Sequence, residues 1–314
     1  MIGHAISQEG ASVTVLETRG LSKRYGDTVA VDGVSLTIEK GDIFGLIGQN
    51  GAGKTSFMRM VTSLAHPSGG EIELFGQTSA SGLQQARKRV GATIETPAFF
   101  PALSARQNLE YYRIQRGIPD KSTVQHHLEF VGLSTAGKKK FKEFSMGMKQ
   151  RLALALTLMS KPDFIILDEP INGLDPIGVA EIRELIKDLP NRGITVLLSS
   201  HILSELSQVA TKYAFIHDGR LIKNLTHEEL QEECKRALVI SVDNAERAAA
   251  LLEVSLGITD YKQVSDTDLR IYEQLDKSSE ITKELVRNNV AVAAIHESGD
   301  SLEDYYKKVI GGAE

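Results

Sequence analysis

The chain has 314 residues, of which 41% are hydrophobic and 25% are charged, and its formal net charge is −5. These values are typical of a globular protein with enough apolar residues for one large and one small domain, and the acidic balance argues against a general nucleic-acid binder. The single cysteine, Cys234, excludes an internal disulfide and fits a reducing compartment.

Neither a membrane span nor a targeting segment is predicted. The apolar stretch 152–159 is bounded by Arg151 and Lys161 and is far shorter than the about 20 residues that a spanning helix needs. Residues 1–14 are expected to form a flexible N-terminus. They are not expected to be a signal peptide, because they lack a basic region followed by an apolar one. We therefore expect a cytoplasmic protein that reaches any membrane it serves through a partner.

The next part of the chain predicts an α/β domain over residues 15–225. Apolar alternation between 15 and 39 predicts antiparallel strands, and the apolar run 43–47 predicts a buried strand that leads through a glycine-rich turn into a helix over 54–64. Such an order opens a parallel sheet. The region 83–160 is mostly helical in pattern and predicts a helical insertion. Strand patterns then return at 164–167, 195–199 and 213–217.

Residues 226–314 differ in pattern and predict a small α+β accessory domain. A helix over 227–236 is followed by elements in the order βαββαβ, which is typical of a split βαβ domain. The predicted strands are 237–242, 260–264, 268–272 and 290–295, the helices between them are 245–254 and 278–288, and a helix over 302–310 closes the domain.

A phosphate-binding loop occupies residues 48–55, which read GQNGAGKT and match G-x-x-x-x-G-K-[ST]. In such loops, backbone N–H groups surround the phosphates at a helix N-terminus. Lys54 is expected to contact the β- and γ-phosphates of ATP, and the Thr55 hydroxyl to bind Mg²⁺. The predicted nucleotide ligands here are Gly48, Asn50, Gly51, Ala52, Gly53, Lys54, Thr55 and Ser56.

The apolar run 164–167 ends in two acidic residues, Asp168 and Glu169. The carboxyl ends of parallel strands face the crevice in which α/β sheets bind ligands. Asp168 is predicted to bind Mg²⁺ together with Thr55, and Glu169 to orient and deprotonate the attacking water. An apolar run that ends in Asp-Glu is common by itself, so this assignment depends on the phosphate loop.

A third motif, FSMGMKQR at 144–151, precedes an apolar helix. With the two preceding motifs, the chain resembles the ABC-transporter ATPase family, whose signature is LSGGQ. Ser145 and Gly147 match the family's serine and second glycine, whereas Met146 and Met148 replace its first glycine and glutamine. The resemblance implies that Ser145 and Gly147 bind the γ-phosphate at a helix N-terminus, although a serine there is also an ordinary helix cap.

The resemblance covers about residues 15–225 and implies roles for three further residues. Tyr25, in KRYG, matches the aromatic residue that stacks on adenine, and Asp175, in NGLD, lies in the loop that contacts the opposite subunit. His201, after TVLLSS, matches the switch histidine that contacts the γ-phosphate. Taken singly, Tyr25 fits a packing role equally well, and a histidine after a strand, such as His201, is more often a satisfied polar residue than a catalytic one.

One position departs from the family pattern. Where the family has a glutamine that links Mg²⁺ and water to the helical subdomain, this chain has Glu95, within VGATIETPAFFP. A carboxylate can bind Mg²⁺ or hold the water, but its charge is expected to slow or re-time hydrolysis unless a metal or a cation offsets it. An ordinary loop residue is the alternative. Together with S-x-G-x-K-Q-R and the ending SLEDYYKKVIGG, this glutamate resembles the bacitracin- and lantibiotic-resistance branch of exporter ATPases.

The resemblance also implies partners. It implies a head-to-tail dimer of ATPase subunits, a homodimer in the simplest case, and a separate transmembrane permease on whose cytoplasmic side the dimer sits. Residues 98–108 are the candidate docking surface, with core packing as the alternative, and the implied transport is export of an antimicrobial peptide or drug. Competing interpretations are a soluble ABC ATPase acting in complex assembly and a nucleotide-gated scaffold. The accessory domain is expected to serve contact or regulation, with the second subunit or with the permease, and a dimer-stabilising appendage is the alternative.

Overall fold

The computed structural model describes residues 13–95, 98–299 and 302–311. The chain divides between residues 227 and 228 into two compact units. Of the predicted flexible N-terminus, residues 1–14, only Val13 and Thr14 belong to the described residues, and Thr14 already begins the first strand. Along the described ranges, no helix is both long enough and apolar enough to cross a membrane.

The first unit combines nine strands and seven α-helices among its described residues. The strands are β1 (Thr14–Tyr25), β2 (Thr28–Glu39), β3 (Ile43–Ile47), β4 (Gly69–Leu74), β5 (Val90–Thr93), β6 (Phe164–Leu167), β7 (Thr195–Ser200), β8 (Lys212–His217) and β9 (Arg220–Thr226). The helices are α1 (Lys54–Val61), α2 (Ala80–Arg87), α3 (Ala105–Gln115), α4 (Ser122–Phe130), α5 (Met146–Leu158), α6 (Pro176–Asp188) and α7 (Leu203–Leu206).

Two sheets form the first unit, as the sequence predicts. Strands β5, β6, β7, β3 and β8 are parallel neighbours in that order, and β9 pairs antiparallel with β8. Strands β3, β6 and β7 are buried along their whole length, which is why they are continuous apolar runs rather than alternating ones. The second sheet is antiparallel, with the order β2-β1-β4. The predicted parallel core with an antiparallel β subdomain is thus confirmed.

The predicted helical insertion, 83–160, differs from the structure at its start. Strand β5 lies inside this range, yet it is an edge strand of the parallel core sheet. Its sequence, VGAT, is only four residues long and contains two small residues, so its apolar signal is too weak to predict a buried strand. The helices that follow β5, from α3 to α5, form the insertion itself.

The second unit has an antiparallel sheet with helices. Its elements are α8 (His227–Cys234, which starts at the division), β10 (Ala237–Val242), α9 (Ala245–Leu256), β11 (Tyr261–Gln263), β12 (Asp268–Ile271), α10 (Ser278–Arg287), β13 (Val292–Ser298) and α11 (Leu302–Gly311). The sheet order is β11-β12-β10-β13, so β12 is inserted between the two strands that α9 connects. This is the predicted split βαβ arrangement, and its core lies between the sheet and α9 and α10.

Candidate functional site

The phosphate loop connects the buried strand β3 to α1, and its shape requires glycine at position 53. Gly53 has φ +104°, and a Cβ there would lie 2.3 Å from the Ala30 carbonyl oxygen on β2. A side chain is therefore excluded by both the backbone conformation and the close approach of β2. A cavity of about 170 Å³ lies over the loop and is lined by Ala30, residues 49–56 and Glu169.

Lys54, the loop lysine, is only 5% exposed. Its ammonium donates to the carbonyl oxygens of Gly48 at 2.6 Å and Gln49 at 3.3 Å, and it lies 3.2 Å from Glu169 Oε1. A buried ammonium must have partners of this kind. The loop carbonyls therefore hold the charge next to the loop N–H groups, where a phosphate binds, and these residues fit ATP.

Asp168 lies at the end of β6, directly beside the start of α1. Its Oδ2 accepts a hydrogen bond of 2.7 Å from the Thr55 hydroxyl, and its Oδ1 accepts one of 2.6 Å from the Ser199 hydroxyl. A hydroxyl and a carboxylate at this separation fit Mg²⁺, which proteins hold through few side chains together with the substrate phosphates. Thr55 and Asp168 would hold Mg²⁺, and the bound ion would neutralise the charge that develops on the transferred phosphoryl group.

Glu169, the predicted general base, has a backbone with φ +48°, unusual for a residue that is not glycine. The Ser199 hydroxyl fixes this conformation by accepting a 2.9 Å hydrogen bond from the Glu169 backbone N–H. One carboxylate oxygen faces Lys54, and the other lies 2.9 Å from His201 Nδ1. Each carboxylate oxygen thus has one of these contacts and keeps a second lone pair, with which Glu169 can accept a proton from water.

Two residues of this cluster were missed by the sequence analysis. The Ser199 hydroxyl donates to Asp168 and accepts from the Glu169 backbone N–H. The sequence feature that could have indicated Ser199 is the polar end of the otherwise apolar strand TVLLSS. Glu205 is the second: its Oε2 is buried without a hydrogen-bond partner, and the side chain interacts electrostatically with His201 and Glu169. Burial raises the pKa of Glu205 above its ordinary value.

Glu95 follows β5 and lines a second cavity, of about 260 Å³, together with Asp168 and Glu169. It has φ +65°. Its carboxylate forms an ion pair with the guanidinium of Arg59 on α1. The predicted metal or water contact of Glu95 remains a prediction, and Arg59 is the counter-charge that the sequence analysis did not identify.

Tyr25 lies at the end of β1, where it pairs with Thr28 in the β1–β2 hairpin. The same hairpin carries Ala30, which lines the cavity over the phosphate loop. The ring of Tyr25 is 45% exposed, and the Lys23 ammonium lies 4.8 Å from its centroid. An exposed aromatic ring at this place is available to stack on a base, which stays a prediction.

Two of the remaining predicted residues cap helices in this chain. Ser145 caps α5 by accepting a hydrogen bond from the Met148 N–H, and Asp175 caps α6 by accepting one from the Gly178 N–H. Ser145, Gly147 and Asp175 are not among the residues that line the cavity over the phosphate loop. The structure therefore brings together Lys54, Thr55, Asp168, Glu169 and His201. Of the signature segment, Met146 and Gln150 line the second cavity with Asp168 and Glu169, but Ser145 and Gly147 line neither cavity.

Comparison with known proteins agrees with this geometry. Residues 31–172 match the family model described as ABC transporter. A bacitracin transport ATP-binding protein of Enterococcus faecalis is 41% identical over 299 residues, which cover 95% of this chain and 97% of the relative. A lantibiotic transport ATP-binding protein of Streptococcus pyogenes is 39% identical over 66% of this chain and 89% of its own. A solved ATP-binding subunit of an ABC transporter has a TM-score of 0.61 and 26% identity, over 70% of this chain and 92% of that one.

Proposed function

Because this chain belongs to the ABC transporter family as an ATP-binding and ATP-hydrolysing subunit, we propose that it acts as a dimer that drives export of a peptide antibiotic or related drug. The export step takes place in a separate permease, and the dimer binds that permease on the cytoplasmic face of the membrane. The observation that carries the proposal is the array in which Lys54, Glu169 and His201 lie in contact beside the Thr55–Asp168 pair. Relatives that are named for bacitracin and lantibiotic transport support the substrate class.

A dimer would bring the signature segment of one chain to the phosphate loop of the other. Ser145 and Gly147 lie at the N-terminus of α5, where unpaired N–H groups favour an anion. They do not line the cavity over their own phosphate loop, and in the proposed dimer a second chain brings such a helix end to the γ-phosphate. The Asp175 loop, which the family places at the opposite subunit, is exposed at the start of α6.

In this mechanism each residue of the array has one task. Lys54 would hold the phosphates, while Thr55 and Asp168 would hold Mg²⁺. Glu169 leaves Lys54 when the γ-phosphate takes its place, and the freed oxygen accepts the proton of the attacking water. His201 keeps the other oxygen in position, and closing and opening of the dimer follow the differential affinity of the two forms for ATP.

The docking surface that we propose is the outward part of the segment 98–108 and of α3. Asn108 is fully buried, and its amide exchanges hydrogen bonds with the backbone of Phe100 and donates to the carbonyl oxygens of Leu103 and Ser104. These bonds fix the loop so that Phe99 is buried and Phe100 is exposed. The ring of Phe100 packs on the exposed ring of Tyr111 with centroids 4.6 Å apart, and the two form an apolar surface of the kind that protein partners cover.

Replacing both Phe100 and Tyr111 by aspartate is expected to abolish co-purification with the permease and leave ATP binding within about twofold of wild type. Two charges would have to be desolvated at the contact, which opposes docking by several kcal/mol. The measurement is pull-down of the permease from membranes that contain both proteins. Val254→Asp, at an 86% exposed position in the second unit, is the matched control. Undiminished permease capture by the double variant would place the docking surface elsewhere.

The substrate class is tested on the reconstituted complex. The permease that co-purifies with this chain is incorporated into vesicles, and ATP turnover is measured with bacitracin, a lantibiotic or an anthracycline added. We expect stimulation by one of the two peptide antibiotics. Stimulation by none of the three compounds would contradict the proposed export function and leave the ATPase activity itself untouched.

A further inference from the structure

Glu95 adds a third carboxylate to the edge of the sheet where Asp168 and Glu169 already lie. All three line the same cavity. Asp168 is held by two neutral hydroxyl groups, and Glu169 is held by Lys54 and His201. A further negative charge near the site of the γ-phosphate opposes ATP binding unless a cation balances it.

Arg59 is the cation that contacts Glu95. It lies four residues after Thr55 on α1, and residues at this spacing share one face of a helix. The helix face that presents the Thr55 hydroxyl to Asp168 therefore also presents the Arg59 guanidinium to Glu95. Helix α1 thus provides one partner for the carboxylate that follows each of two strands. Arg59 pairs with Glu95 after β5, and Thr55 bonds to Asp168 after β6.

We propose that Arg59 is a positioning residue for Glu95, which it holds and neutralises so that this chain can carry a carboxylate next to the ATP site. The guanidinium acts through Glu95 and not on the nucleotide. The inference rests on ATP binding at the phosphate loop and is independent of the permease and of the exported substrate.

Exposure sets the size of the effect. The side chains of Arg59 and Glu95 are 36% and 66% exposed, so solvent screens the pair. Exposed pairs of this kind shift an equilibrium by about fivefold or less. The contact is thus too weak to be a structural lock, and its expected consequence is a moderate change in nucleotide affinity that depends on the charge at position 95.

The test is a double-mutant cycle with Arg59→Gln, Glu95→Gln and the combined variant. The dissociation constant of a fluorescent ATP analogue is measured on the purified full-length chain, with Mg²⁺ and with EDTA. We expect Arg59→Gln to weaken binding by about threefold to fivefold, since the carboxylate is left unbalanced. The dissociation constants of Glu95→Gln and of the double variant should both stay within about twofold of the wild-type value. Arg59→Lys should retain most of the wild-type affinity because it keeps the charge.

Arg89→Gln is the matched control. Arg89 also forms an exposed ion pair, with Asp163, and it lies just before β5, away from the carboxyl ends of the strands. It should not change nucleotide affinity. If the double variant binds ATP as weakly as Arg59→Gln alone, Arg59 acts directly on the nucleotide and the proposal is wrong.

Two further outcomes complete the test. Wild-type affinity of Arg59→Gln would mean that the pair has no role at the site. If Arg59→Gln and the double variant show the same fall in melting temperature and the same loss of nucleotide affinity, Arg59 has a structural role. The Lys54→Ala variant, which should bind ATP at least about tenfold more weakly than wild type, separates either result from a failure of the phosphate site itself.

Discussion

Glu169→Gln is expected to lower ATP turnover by about 10²- to 10⁴-fold, the range that a positioned general base contributes. Glutamine has nearly the shape of glutamate but cannot accept the proton of the attacking water. Because the amide keeps a polar contact with Lys54 and His201, ATP should still bind. We expect the variant to accumulate as an ATP-bound dimer, which size-exclusion chromatography in ATP and Mg²⁺ detects beside a phosphate-release assay.

Glu184→Gln provides the control for this experiment. Glu184 is an exposed residue of α6 that forms an ion pair with Lys187 of the same helix, so turnover by the Glu184→Gln variant should equal that of wild type. Turnover by Glu169→Gln within about tenfold of wild type would assign the base to another residue. Glu205, buried near His201, would then be the next residue to replace.

Lys54→Ala is expected to weaken ATP binding by about 10- to 100-fold, the loss that corresponds to one hydrogen bond to a charged group. The change also leaves the Glu169 carboxylate without its cation at 3.2 Å, so that it repels the incoming γ-phosphate. Combining Lys54→Ala with Glu169→Gln should therefore recover part of the affinity. The measurement is equilibrium titration with a fluorescent ATP analogue.

The matched control is Lys187→Ala, which removes an exposed lysine of α6 and should leave the affinity unchanged. Failure of Glu169→Gln to improve binding in the Lys54→Ala background would contradict the idea that phosphate and glutamate compete for one ammonium. It would leave the phosphate loop as the binding site, since that assignment depends on Lys54→Ala alone.

Local sequence determined those parts of the site that lie within a few residues of one another. The phosphate loop, with Lys54 and Thr55 at the start of α1, follows from the spacing of its glycines. The carboxylates Asp168 and Glu169 follow from an apolar run that ends in acidic residues. Each of these motifs is set by steric and hydrogen-bonding requirements that operate along the chain, so residue order alone carries the information.

Tertiary structure decided which distant side chains meet. Ser199 contacts Asp168 because β7 is the sheet neighbour of β6, and Arg59 contacts Glu95 because α1 passes the end of the short strand β5. The sequence did not reveal either pair, since the order of strands in a sheet is set by packing of the whole core rather than by any local pattern. The sequence therefore predicted that Glu95 needs a counter-charge, and only the tertiary structure identified Arg59 as that counter-charge.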